Sequence, residues 1–73
     1  ERSILRNIIM RDARDDPQLG DRVRAKGRTR LVERRVGGDI WYKIEEQRNA
    51  RTKNCWISTW REWCRKDKAE VIL

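Results

Sequence analysis

Residues 30–45 read RLVERRVGGDIWYKIE, and the way this stretch folds back on itself decides the architecture of the chain. Two alternating apolar runs, RLVERRV at 30–36 and IWYKIE at 40–45, flank GGD at 37–39, which is the signature of a β-hairpin. Register matters because a slip of one residue moves every side chain to the opposite face. A two-residue Gly37-Gly38 loop would set Val36 against Asp39 and Val32 against Lys43, mixing core with surface. A three-residue loop sets Val36 against Ile40, Arg34 against Tyr42 and Val32 against Ile44. That gathers Val32, Val36, Ile40, Tyr42 and Ile44 on one side, while the other side pairs Glu33 with Lys43 and Arg35 with Trp41. The three-residue loop is therefore the expectation.

Upstream lies RVRAKGRTR, residues 22–30, with a basic side chain at every second position. Residues 22–26 alternate as a strand with Val23 and Ala25 inward and Arg22, Arg24 and Lys26 outward. Gly27 marks a turn, and Arg28 and Arg30 begin the next strand. Pro17 and Gly20 punctuate the approach to this strand. Before them, Ile4, Leu5, Ile8, Ile9 and Ala13 form one helical stripe over residues 3–14, and the residue before a proline is pushed out of the α region. An N-terminal amphipathic helix within residues 1–16 is expected, its stripe covering the rest of the same domain or another chain.

Downstream, EQRNARTKN at 46–54 holds no large apolar residue and reads as a solvated loop. Cys55 to Ile57 look extended, and Trp60, Trp63 and Cys64 have helical spacing. Thr59 and Glu62 match a T-x-x-E capping box, so a helix over about 60–67 is expected, with AEVIL at 69–73 as a last strand. Trp60 and Trp63 are assigned to the core, since a chain without Phe needs large residues to fill its interior. Trp41 falls on the Arg35 face, at the surface or the rim.

Seventy-three residues make one domain, and a chain this short hides only about 60% of its unfolded surface. The division expected is a helix at 1–16 followed by a small basic β-rich domain at 17–73. The chain starts at Glu1 rather than Met, as a fragment or a processed product would. Arg2, Arg6 and Arg11 interrupt the apolar stretch near the N-terminus, so neither a signal peptide nor a membrane span is expected. Cys55 and Cys64 are too few for a zinc site, and a single pair is a thin disulfide framework. Reduced thiols in a cytoplasmic protein are the expectation, with no metal and no cofactor. There is no histidine for general-base work and no glycine-rich loop before a helix, so catalysis is not expected. Asp15 and Asp16 read as turn and cap residues.

Taken in order, LGDRVR at 19–24 and VGGDIWYKI at 36–44 resemble the small SH3-like barrels of KOW and Tudor type over residues 19–73. The resemblance implies an α+β fold: the N-terminal helix, a small antiparallel sheet or barrel, and a short C-terminal helix. Such barrels often bind nucleic acid or peptide tails, but a fold does not fix a function. The Trp-rich helix departs from the pattern, so no site residue is carried over.

The charge balance is firmer ground. Nineteen Lys and Arg stand against twelve Asp and Glu, a formal +7, which draws a protein to polyanions. Alternate strand residues lie about 7 Å apart, and arginine presents a planar fork that matches phosphate oxygens. Edge protection would need only one or two charges. The expectation is thus a non-enzymatic nucleic-acid-binding module in which Arg22, Arg24, Lys26, Arg28 and Arg30 hold the phosphate backbone of DNA or RNA. Arg35, Trp41 and the loop bases Arg48, Arg51 and Lys53 add contacts. The alternative is a small inhibitor or adaptor that docks its basic face on an acidic protein.

Overall fold

The computed structural model of the chain describes residues 11–72. It holds β1 (Arg22–Ala25), β2 (Arg28–Val36), β3 (Asp39–Ile44), β4 (Lys53–Trp56), helix α1 (Ile57–Lys66) and β5 (Glu70–Ile72). All neighbouring strands are antiparallel, in the order β4-β3-β2-β1-β5. The chain meanders through four strands, crosses by the helix, and lays β5 against β1. β4 and β5 are the two edges and are not bonded to one another, so the sheet is open.

The α+β fold expected from sequence, opening on an N-terminal helix, is corrected here. Residues 11–16 form turns closed by the amides of Asp15 and Asp16 on the Asp12 carbonyl, not a helix. The remainder of that expected helix, residues 1–10, lies outside the described residues. The only helix among the described residues is α1, inserted between β4 and β5. Ala13 and Pro17 are buried, and the Trp60 indole N–H donates to the Ala13 carbonyl at 3.0 Å, so the segment before β1 packs on the same core as the sheet.

The central hairpin also differs from expectation. Val36 faces Asp39, Arg35 faces Ile40 and Arg34 faces Trp41, across a two-residue Gly37-Gly38 loop. Gly37 takes φ +57, the left-handed value that primed two-residue hairpin turns require at their first central position. A β-bulge between Val32 and Arg34 then shifts the register, so Val32 faces Tyr42 and Arg30 faces Ile44. The extra residue lets a tight loop coexist with a continuous apolar face, the conflict that favoured a longer loop on sequence grounds. Val32, Ile40, Tyr42 and Ile44 are buried as expected, whereas Val36 is 49% exposed. Lys43 faces Leu31 rather than Glu33, although the two charges still meet as an ion pair at 3.4 Å, and Trp41 lies beneath Arg34 (5.0 Å) rather than opposite Arg35.

Trp60 is the keystone. It is fully buried and packs edge-on to Tyr42 at 5.7 Å and tilted to Trp63 at 5.5 Å. Burying such a ring removes about 150–250 Å² from water, on the order of 4–6 kcal/mol of transfer free energy. Cys64, one turn further on, faces the same core. The helix starts at Ile57, three residues before the expected boundary, and Trp56 at its N-cap makes no side-chain cap bond. Instead the Ile57 amide donates to the carbonyl of Gly38 at 2.8 Å, so the hairpin tip does the work assigned to Thr59 and Glu62. The helix ends in a Schellman-type turn: the Ala69 amide donates to the Cys64 carbonyl, with Lys68 at φ +52.

Candidate functional site

The β1–β2 turn consists of Lys26 (φ +51) and Gly27 (φ +74), both left-handed, as a type I′ turn requires. It pairs Ala25 with Arg28 and Val23 with Arg30. Directly opposed residues share a face, so Arg28 and Arg30 stand on the core-facing side of the sheet with Val23 and Ala25. Arg22 and Arg24 stand on the other side, opposite Leu31 and Thr29. The five bases that look like one row in the sequence are therefore split between two faces.

On the core-facing side, beyond the end of the packed core, they join a cleft of about 470 Å³. Lys26, Arg28 and Arg30 come from the β1–β2 hairpin, Lys53 from the start of β4, Tyr42 from β3 and Trp63 from α1. Ala25 and Ile44 complete the lining, and Asp67 is its one carboxylate. The Arg30 guanidinium carbon lies 3.7 Å from the Trp63 ring centroid and 4.4 Å from that of Tyr42. Those rings hold the guanidinium by cation–π attraction, worth about 0.5–2 kcal/mol each according to solvent access. Among the described residues no carboxylate pairs with Arg30, and its donors remain within reach of solvent. It is a planar cation fixed in place with unused N–H groups.

Among the described residues outside the cleft, six cations have a carboxylate partner and seven, Arg34 and Arg65 among them, have none. Arg22 pairs with Glu45 at 2.7 Å, Lys43 with Glu33, Arg11 with Asp21 at 2.6 Å and Arg61 with Asp15 at 3.1 Å. In the cleft, only Lys26 has a carboxylate within reach, Asp67 at 3.5 Å, while Arg28, Arg30 and Lys53 have none among the described residues. Burial raises the Tyr42 phenol and pushes the Cys64 thiol up to about 11, although the charge on Arg30 pulls both the other way. Both groups therefore stay neutral at neutral pH and offset none of the cleft's positive charge.

The other residues expected at the site lie elsewhere. Arg24 is exposed on the far face. Arg35 is structural: its side chain is 18% exposed and donates to Asp16 at 2.9 Å and to the Pro17 carbonyl at 2.6 Å. Trp41 is half-buried on the far face under Arg34. Arg48 and Arg51 are exposed in the loop between β3 and β4. That loop is tied to the far face where Thr29 donates its amide and hydroxyl to Glu46, and Thr52 donates to Glu33 at 2.6 Å. Sequence reasoning did not find Tyr42 and Trp63 as the aromatic floor. The cue was available in the two-residue Lys26-Gly27 turn, which reverses the parity of the basic positions and carries Arg30 onto the aromatic face.

Cys55 and Cys64 are free thiols. No helix among the described residues is long and apolar enough to cross a membrane. No family model, curated protein or solved structure matches this chain, so its function rests on the geometry of the molecule.

Proposed function

We propose that this chain is a non-enzymatic nucleic-acid-binding module that seats a phosphate backbone in the cleft between the β1–β2 hairpin and α1. The observation that carries the proposal is the convergence of Arg28, Arg30 and Lys53, without carboxylate partners among the described residues, over Tyr42 and Trp63. Like charges gathered in one recess repel each other and focus the field there, which raises the local concentration of anions. A guanidinium already held by two aromatic rings loses little conformational freedom when its N–H fork meets phosphate oxygens. Two free thiols, one of them buried, fit a cytoplasmic setting.

The test is a titration of intrinsic tryptophan fluorescence with DNA and RNA at several salt concentrations. Log affinity should fall linearly with log salt, with a slope of about −0.9 per phosphate neutralised on duplex and about −0.7 on single strands. Arg28→Ala should weaken binding to all sequences alike and flatten the slope by about one contact. Absence of binding to any nucleic acid at low salt overturns the proposal.

A further inference from the structure

The shape of the cleft restricts what kind of nucleic acid can enter it. Its cations are not spread over a convex surface. Lys53 opens edge strand β4 and pairs with Tyr42 on β3, Ile44 on β3 pairs with Arg30 on β2, and Arg28 on β2 pairs with Ala25 on β1. The trough thus crosses three inter-strand steps, roughly 14 Å at about 4.8 Å per step. Lys53 stands at one end, Lys26 and Arg28 at the other, and Arg30 between them. Trp63 and Asp67, from α1 and its C-cap, wall one side.

A duplex would meet this trough along one outer backbone only, with its bases turned inward and away from the Trp63 wall. A recess of about 470 Å³ walled by a helix admits one thread of backbone. The aromatic floor points the same way. Phosphate binding needs only cations, whereas here the half-buried Trp63 ring adds an aromatic plane at the cleft wall for an unpaired base, beside the Arg30 N–H edge for its phosphate. In a duplex the base faces are already stacked on one another and cannot use that plane.

From this geometry, and resting on the function proposed above, we infer that the ligand is single-stranded nucleic acid. It lies across the sheet from the β4 edge to the β1–β2 turn, with one phosphate at Arg30 and its neighbours at Lys53 and Arg28.

The experiment compares a short oligothymidylate, a duplex of equal length and a polyglutamate peptide, titrated into the full chain at low and moderate salt. Two double variants carry equal charge loss: Arg28→Ala with Lys53→Ala at the ends of the trough, and Arg34→Ala with Arg65→Ala away from it. All four side chains are exposed, and circular dichroism verifies that each variant folds. The single strand should bind at least about tenfold more tightly than the duplex, as stacking of one base provides. It should quench tryptophan fluorescence where the duplex does not. The trough variant should flatten the single-strand salt slope by about 1.4, two contacts at about 0.7 each, while the control variant leaves it unchanged. Equal or tighter duplex binding, or equal losses in the two variants, overturns the single-strand assignment and leaves nucleic-acid binding standing. Binding of polyglutamate alone, lost in the trough variant, overturns both.

Discussion

Replacing Trp60 with Phe should cost this protein about 2–4 kcal/mol, and the structure supplies each part of that figure. Trp60 is fully buried, and its indole N–H donates at 3.0 Å to the carbonyl of Ala13, 47 residues away. Phe keeps an aromatic ring against Tyr42 and Trp63 but removes the donor. The Ala13 carbonyl, buried without a partner, then loses about 1–3 kcal/mol. The smaller ring forfeits about 1 kcal/mol more, because a close-packed core refills a void only in part. A chain of this size is stable by only about 4–11 kcal/mol in all, at 0.05–0.15 per residue. The melting temperature should therefore drop by about 10–30 °C. Urea unfolding followed by far-ultraviolet circular dichroism provides the assay, and the midpoint should move with the slope unchanged, since the surface exposed on unfolding is nearly the same. A loss under about 1 kcal/mol would refute the reasoning. It would show that the segment before β1 is not anchored through Trp60.

Lys68→Gly should raise stability by about 1 kcal/mol in a thermal melt, because the residue sits at φ +52 in the turn that ends α1, where glycine carries no Cβ penalty. Glu46→Gln addresses acid sensitivity. Hydrogen bonds from the Thr29 hydroxyl and amide hold the Glu46 carboxyl below its ordinary 4.5, so its contribution is fully present above that value and is lost as pH falls through the lower folded one. Denaturant titrations across the acid range should show a shallower decline for the Gln variant, and parallel profiles would contradict the assignment. At pH 8 the Cys64 thiol, pushed up to about 11 by burial from an ordinary 9.0, should carry about a hundredfold less thiolate than in urea. Alkylation rates followed by mass spectrometry should differ at least by that factor.

Much of the sheet was legible because alternation is a local signal. Val23, Ala25, Val32, Ile40, Tyr42 and Ile44 occupy the buried positions that their period of two assigns them. The hairpin register was not legible, because a bulge leaves no compositional mark: Glu33 looks like any other polar strand residue until Val32 and Arg34 are seen facing Tyr42 and Trp41. The helix boundary failed for a related reason. Thr59 and Glu62 carry the spacing of a capping box, yet the orphan amide of Ile57 is satisfied by Gly38, a partner 19 positions earlier that only the fold brings near. The basic row was misread as a single face because period-two counting was carried through Lys26-Gly27 without reversing parity. Once the row is divided at that turn, its second half lies where the cleft forms, although nothing in the local sequence says that Trp63 would meet it there.

The two ends of α1 are fastened to different parts of the sheet. At its start the Ile57 amide is tied to Gly38 at the tip of the β2–β3 hairpin, where a Cβ would lie 2.6 Å from the Trp56 ring. At its end the Ala69 amide closes the turn that delivers the chain into β5, itself paired with β1. A bar clamped at both ends does not swing, so the helix cannot act as a hinged flap over Arg30. On the proposed function, a strand entering this slot would meet a preformed wall rather than a flap that must close. Its association rate should then track ionic strength, as diffusion guided by charge does, and differences among ligands should appear in how slowly they leave.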